Sequence, residues 1–190
     1  MRQAGLLATA VALALALAGV ARADGSAADL AAVRDTSSIE ASGGRILQDT
    51  VRIHALPATV WKALTDQASY RAWAAPASFI DLRIGGRVDV SFAPSAKAGD
   101  SVDLSQEITA YAPGRMIAFR NLKTPPVPGA AVYGQLAIVL ELNPLPDGDT
   151  EVALSQVGYR PGADFDALYG FFKGHNPAYL ADLKAYCEGR

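Results

Sequence analysis

Apolar and polar residues alternate along eight segments of the chain, and this period of two is the pattern of β-strands with one buried face. Two glycine pairs, Gly43-Gly44 and Gly85-Gly86, supply the backbone freedom that a tight hairpin requires. Because the segments follow one another through turns, we predict a curved antiparallel sheet. The predicted strands are 36–42, 45–54, 80–84, 88–92, 102–111, 116–121, 132–142 and 150–159.

Two short helices are predicted directly after the strand at 45–54. Pro57 suits the first turn of a helix, and apolar residues then recur at helical spacing as far as Leu64. A second helix, 67–73, must end before Pro76, because proline cannot continue a helical hydrogen-bond ladder. The order is therefore strand, helix, helix, strand, turn and strand.

A long helix is predicted to close the chain. Asp164 can cap its N-terminus, and an apolar stripe that includes Leu168 and Phe172 follows. Within 174–177 we predict a kink or a restart at Pro177, after which the apolar face continues to the C-terminus. The predicted fold class is α+β, with a curved antiparallel sheet wrapped around this helix and two short helices after the first long strand.

The chain contains the motif VWKALTD at 60–66, then a Trp, and then DLRIGGRVDV at 81–90. Together these motifs resemble the START-like (SRPBCC, helix-grip) superfamily. The branch most similar to them is related to the Hsp90 ATPase activator homologue. The resemblance covers about residues 45–190. It implies that the sheet grips the closing helix and that the space between them is a ligand cavity.

The N-terminus has the composition of a secretory signal peptide. Arg2 precedes an apolar run at 6–20, and Ala21-Arg22-Ala23 is a small-x-small cleavage site. We therefore predict a signal peptide at 1–23, cleavage after Ala23, and a periplasmic or secreted protein with no stable membrane insertion. A flexible spacer at 24–35 and one START-like ligand-binding domain at 36–190 are expected to follow.

Charge and cysteine content narrow the possible partners. The formal net charge is −2 at pH 7, and Lys and Arg are scattered among Asp and Glu, which argues against a nucleic-acid partner. Cys187 is the single cysteine, so no intramolecular disulfide can form. The expected partner is a small hydrophobic or amphipathic molecule.

Aromatic residues gather where the second short helix, the proline-containing segment 122–130 and the start of the closing helix should meet. They can contact a ligand or complete the core. Gln106 and Gln156 share strand faces with apolar residues, so each amide should point inward and need a partner. Arg120 is either solvated or a cation for an acidic ligand. The candidate ligand-binding residues are Trp73, Phe79, Gln106, Arg120, Tyr133, Gln156, Phe165, Tyr169 and Phe172.

Catalytic signatures are sparse. His54 and His175 do not have the spacing of metal ligands, and the chain has no G-x-S-x-G motif, glycine-rich phosphate loop or evident Cys-His pair. Asp81 and Glu107 face away from the apolar side of their strands and are expected in solvent. We therefore expect no catalytic residues, no metal and no cofactor.

Three functions are compatible with these patterns. The leading hypothesis is an exported START-like protein that binds a hydrophobic or amphipathic small molecule without chemistry. The first alternative is an enzyme of the cyclase, dehydratase or hydrolase type that uses Tyr, Arg or a carboxylate in the same cavity. The second is a protein-interaction module, suggested by the Hsp90-activator resemblance, although export would separate it from a cytosolic chaperone.

Overall fold

The structure is a computed structural model that describes residues 25–189, and the predicted signal peptide at 1–23 lies outside these residues. Residues 25–189 form an α+β domain with five helices and nine strands. The helices are α1 (Ala27–Ala31), α2 (Pro57–Thr65), α3 (Gln67–Trp73), α4 (Ala130–Tyr133) and α5 (Ala163–Cys187). The strands are β1 (Arg34–Asp35), β2 (Ser38–Ile39), β3 (Arg45–Ile53), β4 (Ala77–Ile80), β5 (Arg87–Ser91), β6 (Leu104–Ala112), β7 (Met116–Lys123), β8 (Ala137–Pro144) and β9 (Thr150–Tyr159).

The nine strands form one antiparallel sheet with the order β1-β3-β9-β8-β7-β6-β5-β4, and β2 also pairs with β3. The long helix α5 crosses one face of the sheet and packs against β3, β9 and each of the other four helices. This arrangement confirms the predicted helix-grip fold class. Within residues 25–189, no helix combines the length and the apolar character needed to cross a bilayer.

Side chains alternate between the two faces of each strand, and this alternation determines which of them enter the core. On β3, Leu47, Val51 and Ile53 are fully buried, whereas Arg52 between them is exposed. On α5, Leu168, Leu180 and Leu183 are likewise fully buried, at spacings that repeat the helical period. The core therefore lies between the sheet and α5, and it extends under α2.

The junction between α2 and α3 depends on one side chain. Pro57 occupies the first turn of α2, where its missing N–H removes no helical hydrogen bond. Asp66 ends α2 and caps α3, because its Oδ1 accepts a hydrogen bond from the backbone N–H of Ser69 at 2.9 Å. The predicted bounds of α3, 67–73, are confirmed.

The predicted two-residue hairpin at Gly85-Gly86 is wrong. β4 ends at Ile80, which pairs with Val88, so six residues connect β4 to β5. Gly85 does have a positive φ of 76°, but the backbone of this glycine pair binds β6 instead. The Gly85 N–H donates to the Ile108 carbonyl and the Ile108 N–H donates to the Gly86 carbonyl, each at 2.8 Å. This competing pairing ends the strand early.

Two further boundaries differ from the prediction. The predicted strand at 132–142 begins only at Ala137, because residues 130–133 form α4. The closing helix is continuous through Pro177, and its N-cap is Gly162, which makes no side-chain hydrogen bond, rather than Asp164. Asp164 instead lies in the first turn of α5, where a negative charge complements the helix dipole.

The N-terminal segment makes specific contacts with the domain. The predicted strand at 36–42 is replaced by β1 and β2, because the Ser37 N–H donates to the Asp35 side chain at 2.9 Å and interrupts the ladder. Within the predicted spacer at 24–35, α1 packs against α5. The Gly25 N–H donates to Asp182 Oδ1 at 2.6 Å, which ties the start of the described chain to α5.

Candidate ligand-binding cavity

A cavity of about 210 Å³ lies between the sheet and α5. Most of its wall is apolar and comes from α2 and the strands β5, β6, β8 and β9. These wall side chains alternate with outward-facing residues, so the parity of the strands places them in the cavity. The aliphatic wall residues are Leu64, Val88, Leu104, Ile138, Leu140 and Leu154, and Phe119 on β7 adds an aromatic ring.

The size of the cavity limits what it can hold. An engineered apolar cavity of ~150 Å³ is sufficient for benzene, whereas pockets for drug-sized ligands begin near ~300 Å³. The volume of about 210 Å³ falls between these values. It therefore suits one ring with a short substituent, and it is too small for a long acyl chain held in full.

Aromatic side chains form the end of the cavity beneath α4. Tyr133 packs on Phe172 of α5 with ring centroids 4.8 Å apart. Tyr179 and Tyr70 are hydrogen-bonded through their side chains. Burial raises the pKa of Tyr133 and, together with the neighbouring Tyr70, raises the pKa of Tyr179 well above its ordinary value. Both phenols are therefore neutral hydrogen-bonding groups rather than bases at physiological pH.

Three amides supply further polar groups to the wall: Gln106, Gln156 and Asn176. Gln156 is 2 % exposed, and its Oε1 accepts a hydrogen bond from the Tyr159 hydroxyl at 2.6 Å. Asn176, on α5, is 5 % exposed, and its Nδ2 has no hydrogen-bond partner among the described residues. Burial of an unpaired amide is costly, so these groups favour a ligand that can bind them.

Comparison with known families identifies the domain. Residues 54–188 match the family described as activator of Hsp90 ATPase homolog 1-like protein. The chain belongs to this AHSA1-like family. The match spans the region from the end of β3 to the end of α5, which includes every element that lines the cavity.

Solved structures share the AHSA1-like fold. A protein from Mesorhizobium loti is 22 % identical, with a TM-score of 0.58 over 75 % of this chain and 96 % of that one. The Aha1 dimer from Colwellia psychrerythraea is 15 % identical, with the same TM-score and coverage. An Hsp90 activator from Plasmodium falciparum is 15 % identical, with a TM-score of 0.51 over 71 % of this chain and 90 % of that one. No curated protein matches the chain.

Four of the nine candidate residues predicted from the sequence line the cavity of this AHSA1-like domain: Gln106, Tyr133, Gln156 and Phe172. Gln106 and Gln156 reach it from β6 and β9, as strand parity predicts. Tyr133 lies on α4 and Phe172 on α5. The sheet, α4 and α5 thus meet at one site.

Two of the other five candidates are buried but do not line the cavity. Trp73 is 1 % exposed, its Nε1 donates to the Ala63 carbonyl at 3.0 Å, and its ring packs on Tyr179 at 5.0 Å. Phe165 is buried at the start of α5, with the Arg160 guanidinium 5.0 Å from its ring. Trp73 therefore supports the cavity wall from behind Tyr179.

The remaining three candidates contact other surfaces. Phe79 lies under the Arg71 guanidinium, 5.2 Å from its ring centroid. Arg120 is exposed and donates to Glu107 Oε2 at 2.6 Å on the outer face of the sheet. Tyr169 packs edge-on against Tyr159 at 5.1 Å. None of the three lines the cavity.

Among the polar and aromatic residues of the wall, the sequence-based candidates did not include five: Tyr70, Phe119, His175, Asn176 and Tyr179. Three of them continue the face of Phe172 along α5 at spacings of three, four and seven residues, which is the period of one helical face. The predicted interruption at 174–177 concealed this signal. Recognition of a continuous helix would have extended the candidate site to all three.

Apart from His175 in the wall, two other groups capable of chemistry, His54 and Cys187, do not line the cavity. His54 Nδ1 lies 2.6 Å from Asp149 Oδ2, but this pair is exposed at the end of the sheet. Burial raises the pKa of the Cys187 thiol to about 12, so a reactive thiolate is scarce. No cluster of metal-binding side chains occurs within residues 25–189.

A pair of matched substitutions tests whether the cavity is open space. Val88 lines the cavity, whereas Val51 is fully buried outside it. We expect Val51→Ile to lower the free energy of unfolding by about 1 kcal/mol or more through overpacking, and Val88→Ile to leave it unchanged or higher. Urea unfolding measures both. Equal losses would mean that the space beside Val88 is filled by protein.

A buried carboxylate makes stability depend on pH. Asp49 is 3 % exposed and its Oδ2 has no partner among the described residues. Burial, and then the negative charge of Asp35, raise the pKa of Asp49 from 3.8 to about 6. At ~1.4 kcal/mol per pH unit, the charged form costs the folded state up to about 3 kcal/mol at pH 7.

The direction in which pH changes the free energy of unfolding follows from proton uptake at Asp49. As the pH falls from 7 to 4, the folded state binds a proton at Asp49 before the unfolded state does, so the free energy of unfolding rises. We expect Asp49→Asn to stabilise the protein at pH 7 and to lose this advantage by pH 4. Urea unfolding across this range is the measurement. Parallel pH profiles of the two proteins would contradict the assignment.

Proposed function

We propose that this AHSA1-like protein binds a small hydrophobic or amphipathic molecule between the sheet and α5 and does not transform it. The observation that carries the proposal is the cavity of about 210 Å³, with its mainly apolar wall and its few neutral polar groups. Apolar walls with a small number of oriented polar side chains are typical of small-molecule sites. The AHSA1-like fold fits a ligand-binding START-like protein.

Export is part of the proposal. The support is the N-terminal sequence, in which a basic start, an apolar run and the Ala21-Arg22-Ala23 site occur in the order of a cleaved signal. An exported protein does not meet a cytosolic ATP-driven chaperone. We therefore do not extend to this chain the Hsp90-activator function that describes the relative from Plasmodium falciparum.

The enzyme alternative has one candidate group, His175, which lines the cavity, but its ring is exposed, stacks on Phe171, and has its Nδ1 2.6 Å from the Phe171 carbonyl oxygen. A proton-transfer mechanism requires a group that titrates near the working pH and that contacts the ligand. Tyr133 and Tyr179 line the cavity with raised pKa values, so neither becomes a base under ordinary conditions. No carboxylate is among the described residues of the wall. Binding without chemistry remains the function that the wall supports best.

The test is direct identification of the bound molecule. We expect the protein, purified from its native compartment and extracted with organic solvent, to release one small compound in a near-stoichiometric amount, as measured by mass spectrometry. Absence of any such compound, together with no binding in a screen of small aromatic and lipid-like molecules, would contradict the proposal.

A further inference from the structure

We propose that the ligand is an uncharged molecule with a carbonyl or similar hydrogen-bond acceptor, and that the buried amides of Gln156 and Asn176 recognise this acceptor. The inference rests on the proposed function, because it names the chemical class that the same cavity would bind. Two observations support it: within residues 25–189 each amide has an N–H without a hydrogen-bond partner, and the described residues that line the cavity include no Lys, Arg, Asp or Glu.

The orientation of the Gln156 amide follows from its neighbour. The Tyr159 hydroxyl carries a proton that needs an acceptor inside a buried site, and it donates to Gln156 Oε1 at 2.6 Å. If the amide were turned over, its nitrogen would face this hydroxyl and the hydroxyl proton would have no acceptor. Gln156 Nε2 is therefore the free group of the amide. Within residues 25–189 no hydrogen bond engages it, although the residue is 2 % exposed and lines the cavity.

Asn176 provides a second, independent donor. It approaches the cavity from α5, whereas Gln156 approaches from β9. Its Nδ2 is buried and has no hydrogen-bond partner in the described part of the chain. Leaving a buried N–H unpaired is unfavourable, and a ligand oxygen would remove this cost. Gln156 from β9 and Asn176 from α5 thus each offer an amide N–H to a ligand acceptor.

The charge of the wall excludes the most common acceptor, a carboxylate. No lysine, arginine, aspartate or glutamate is among the described residues that line the cavity. Arg120, the one cation among the sequence-based candidates, forms its ion pair with Glu107 elsewhere. His175 is the one basic side chain among the described residues that line the cavity, and its ring is exposed and stacks on Phe171 at 4.1 Å. A buried anion would lack a counter-charge, so a neutral acceptor is favoured.

Three probes of similar size separate these features. Acetophenone carries a ring and a neutral carbonyl, isopropylbenzene has the same shape without an acceptor, and benzoate carries a charged acceptor. Protein-detected NMR titration of the protein expressed from its full sequence gives the three dissociation constants. We expect acetophenone to bind at least about tenfold more tightly than benzoate, because benzoate must lose the hydration of its charge.

A matched pair of variants isolates the Gln156 donor. Tyr159→Phe is the reference, since it removes the hydroxyl and retains the amide. Tyr159→Phe/Gln156→Met then removes the amide without leaving a hydroxyl unpaired, a change that is often nearly neutral for stability. We expect the affinity for acetophenone relative to isopropylbenzene to fall about tenfold from the reference to the double variant.

A measurement on the unmodified protein covers the case in which the double variant does not fold. The side-chain amide resonances of Gln156 and Asn176 should shift with acetophenone and shift less with isopropylbenzene. An unchanged affinity ratio in a folded double variant, equal amide shifts with both probes, or tighter binding of benzoate would overturn the inference but leave the proposed function intact. Binding of none of the three probes would overturn both.

Discussion

Gly129→Ala is expected to lower the free energy of unfolding by about 3 kcal/mol or more and to displace α4 from the cavity. Gly129 precedes α4 and has a φ of 73°, a left-handed conformation that costs an L-residue about 1–2 kcal/mol. An added Cβ would lie 2.1 Å from the Asp164 carbonyl oxygen and 2.7 Å from Leu168 Cβ. Because the first contact is with the backbone of α5, rotation of a side chain cannot relieve it.

The matched control is Gly114→Ala. Gly114 has nearly the same φ, 70°, but an added Cβ there would meet no atom within 4 Å. We expect this variant to lose only the conformational contribution, about 1 kcal/mol. Urea unfolding of the two variants separates strain from collision. Equal losses would show that the close packing of Gly129 on α5 does not contribute to stability.

Leu154→Trp is expected to weaken ligand binding by at least about 100-fold while the protein still folds. Leu154 points from β9 into the cavity, so the larger indole would occupy space that the ligand needs. Exclusion of ~100 Å² of ligand surface from an apolar site, at ~25 cal/mol per Å², corresponds to ~2.5 kcal/mol, or roughly 100-fold in Kd. Titration with isopropylbenzene measures the loss.

Val139→Trp is the control for this substitution. Val139 lies on the adjacent strand β8, does not line the cavity, and is half-buried on the opposite side of the strand from Ile138 and Leu140. The same indole at this position should leave the affinity within about threefold of the parent. Retained binding in Leu154→Trp would place the ligand elsewhere on the protein.

The sequence predicted the features that depend on residues close together in the chain, such as the face of a strand from which a side chain points. Strand parity placed Gln106 and Gln156 on the inner face, and both line the cavity. The bounds of β9 and α3 were also predicted as the structure has them, because a Pro-Asp-Gly turn precedes β9 and Pro76 limits α3. These features depend on neighbours within a few residues.

Features that depend on tertiary contacts were not predictable in the same way. Pro177 indicates a break by local rules, yet α5 continues through it, and Leu180 and Leu183 beyond it are fully buried. Packing of this face outweighs the lost hydrogen bond, and it aligns Asn176 and Tyr179 with Phe172. Likewise, the pairing of Gly85-Gly86 with β6 is a contact across more than twenty residues of chain. No local pattern encodes either result.

Methyl NMR of the protein during titration with isopropylbenzene tests the central claim most directly. If the space between the sheet and α5 is the binding site, shifts should be saturable and concentrated in the methyl groups that line it. Val51 and Leu183, which are buried outside the cavity, should change little. The account is contradicted if no methyl shifts, or if the shifts occur only at exposed apolar residues such as Ile84 and Leu122. The methyl groups expected to shift are those of Leu64, Val88, Leu104, Ile138, Leu140 and Leu154.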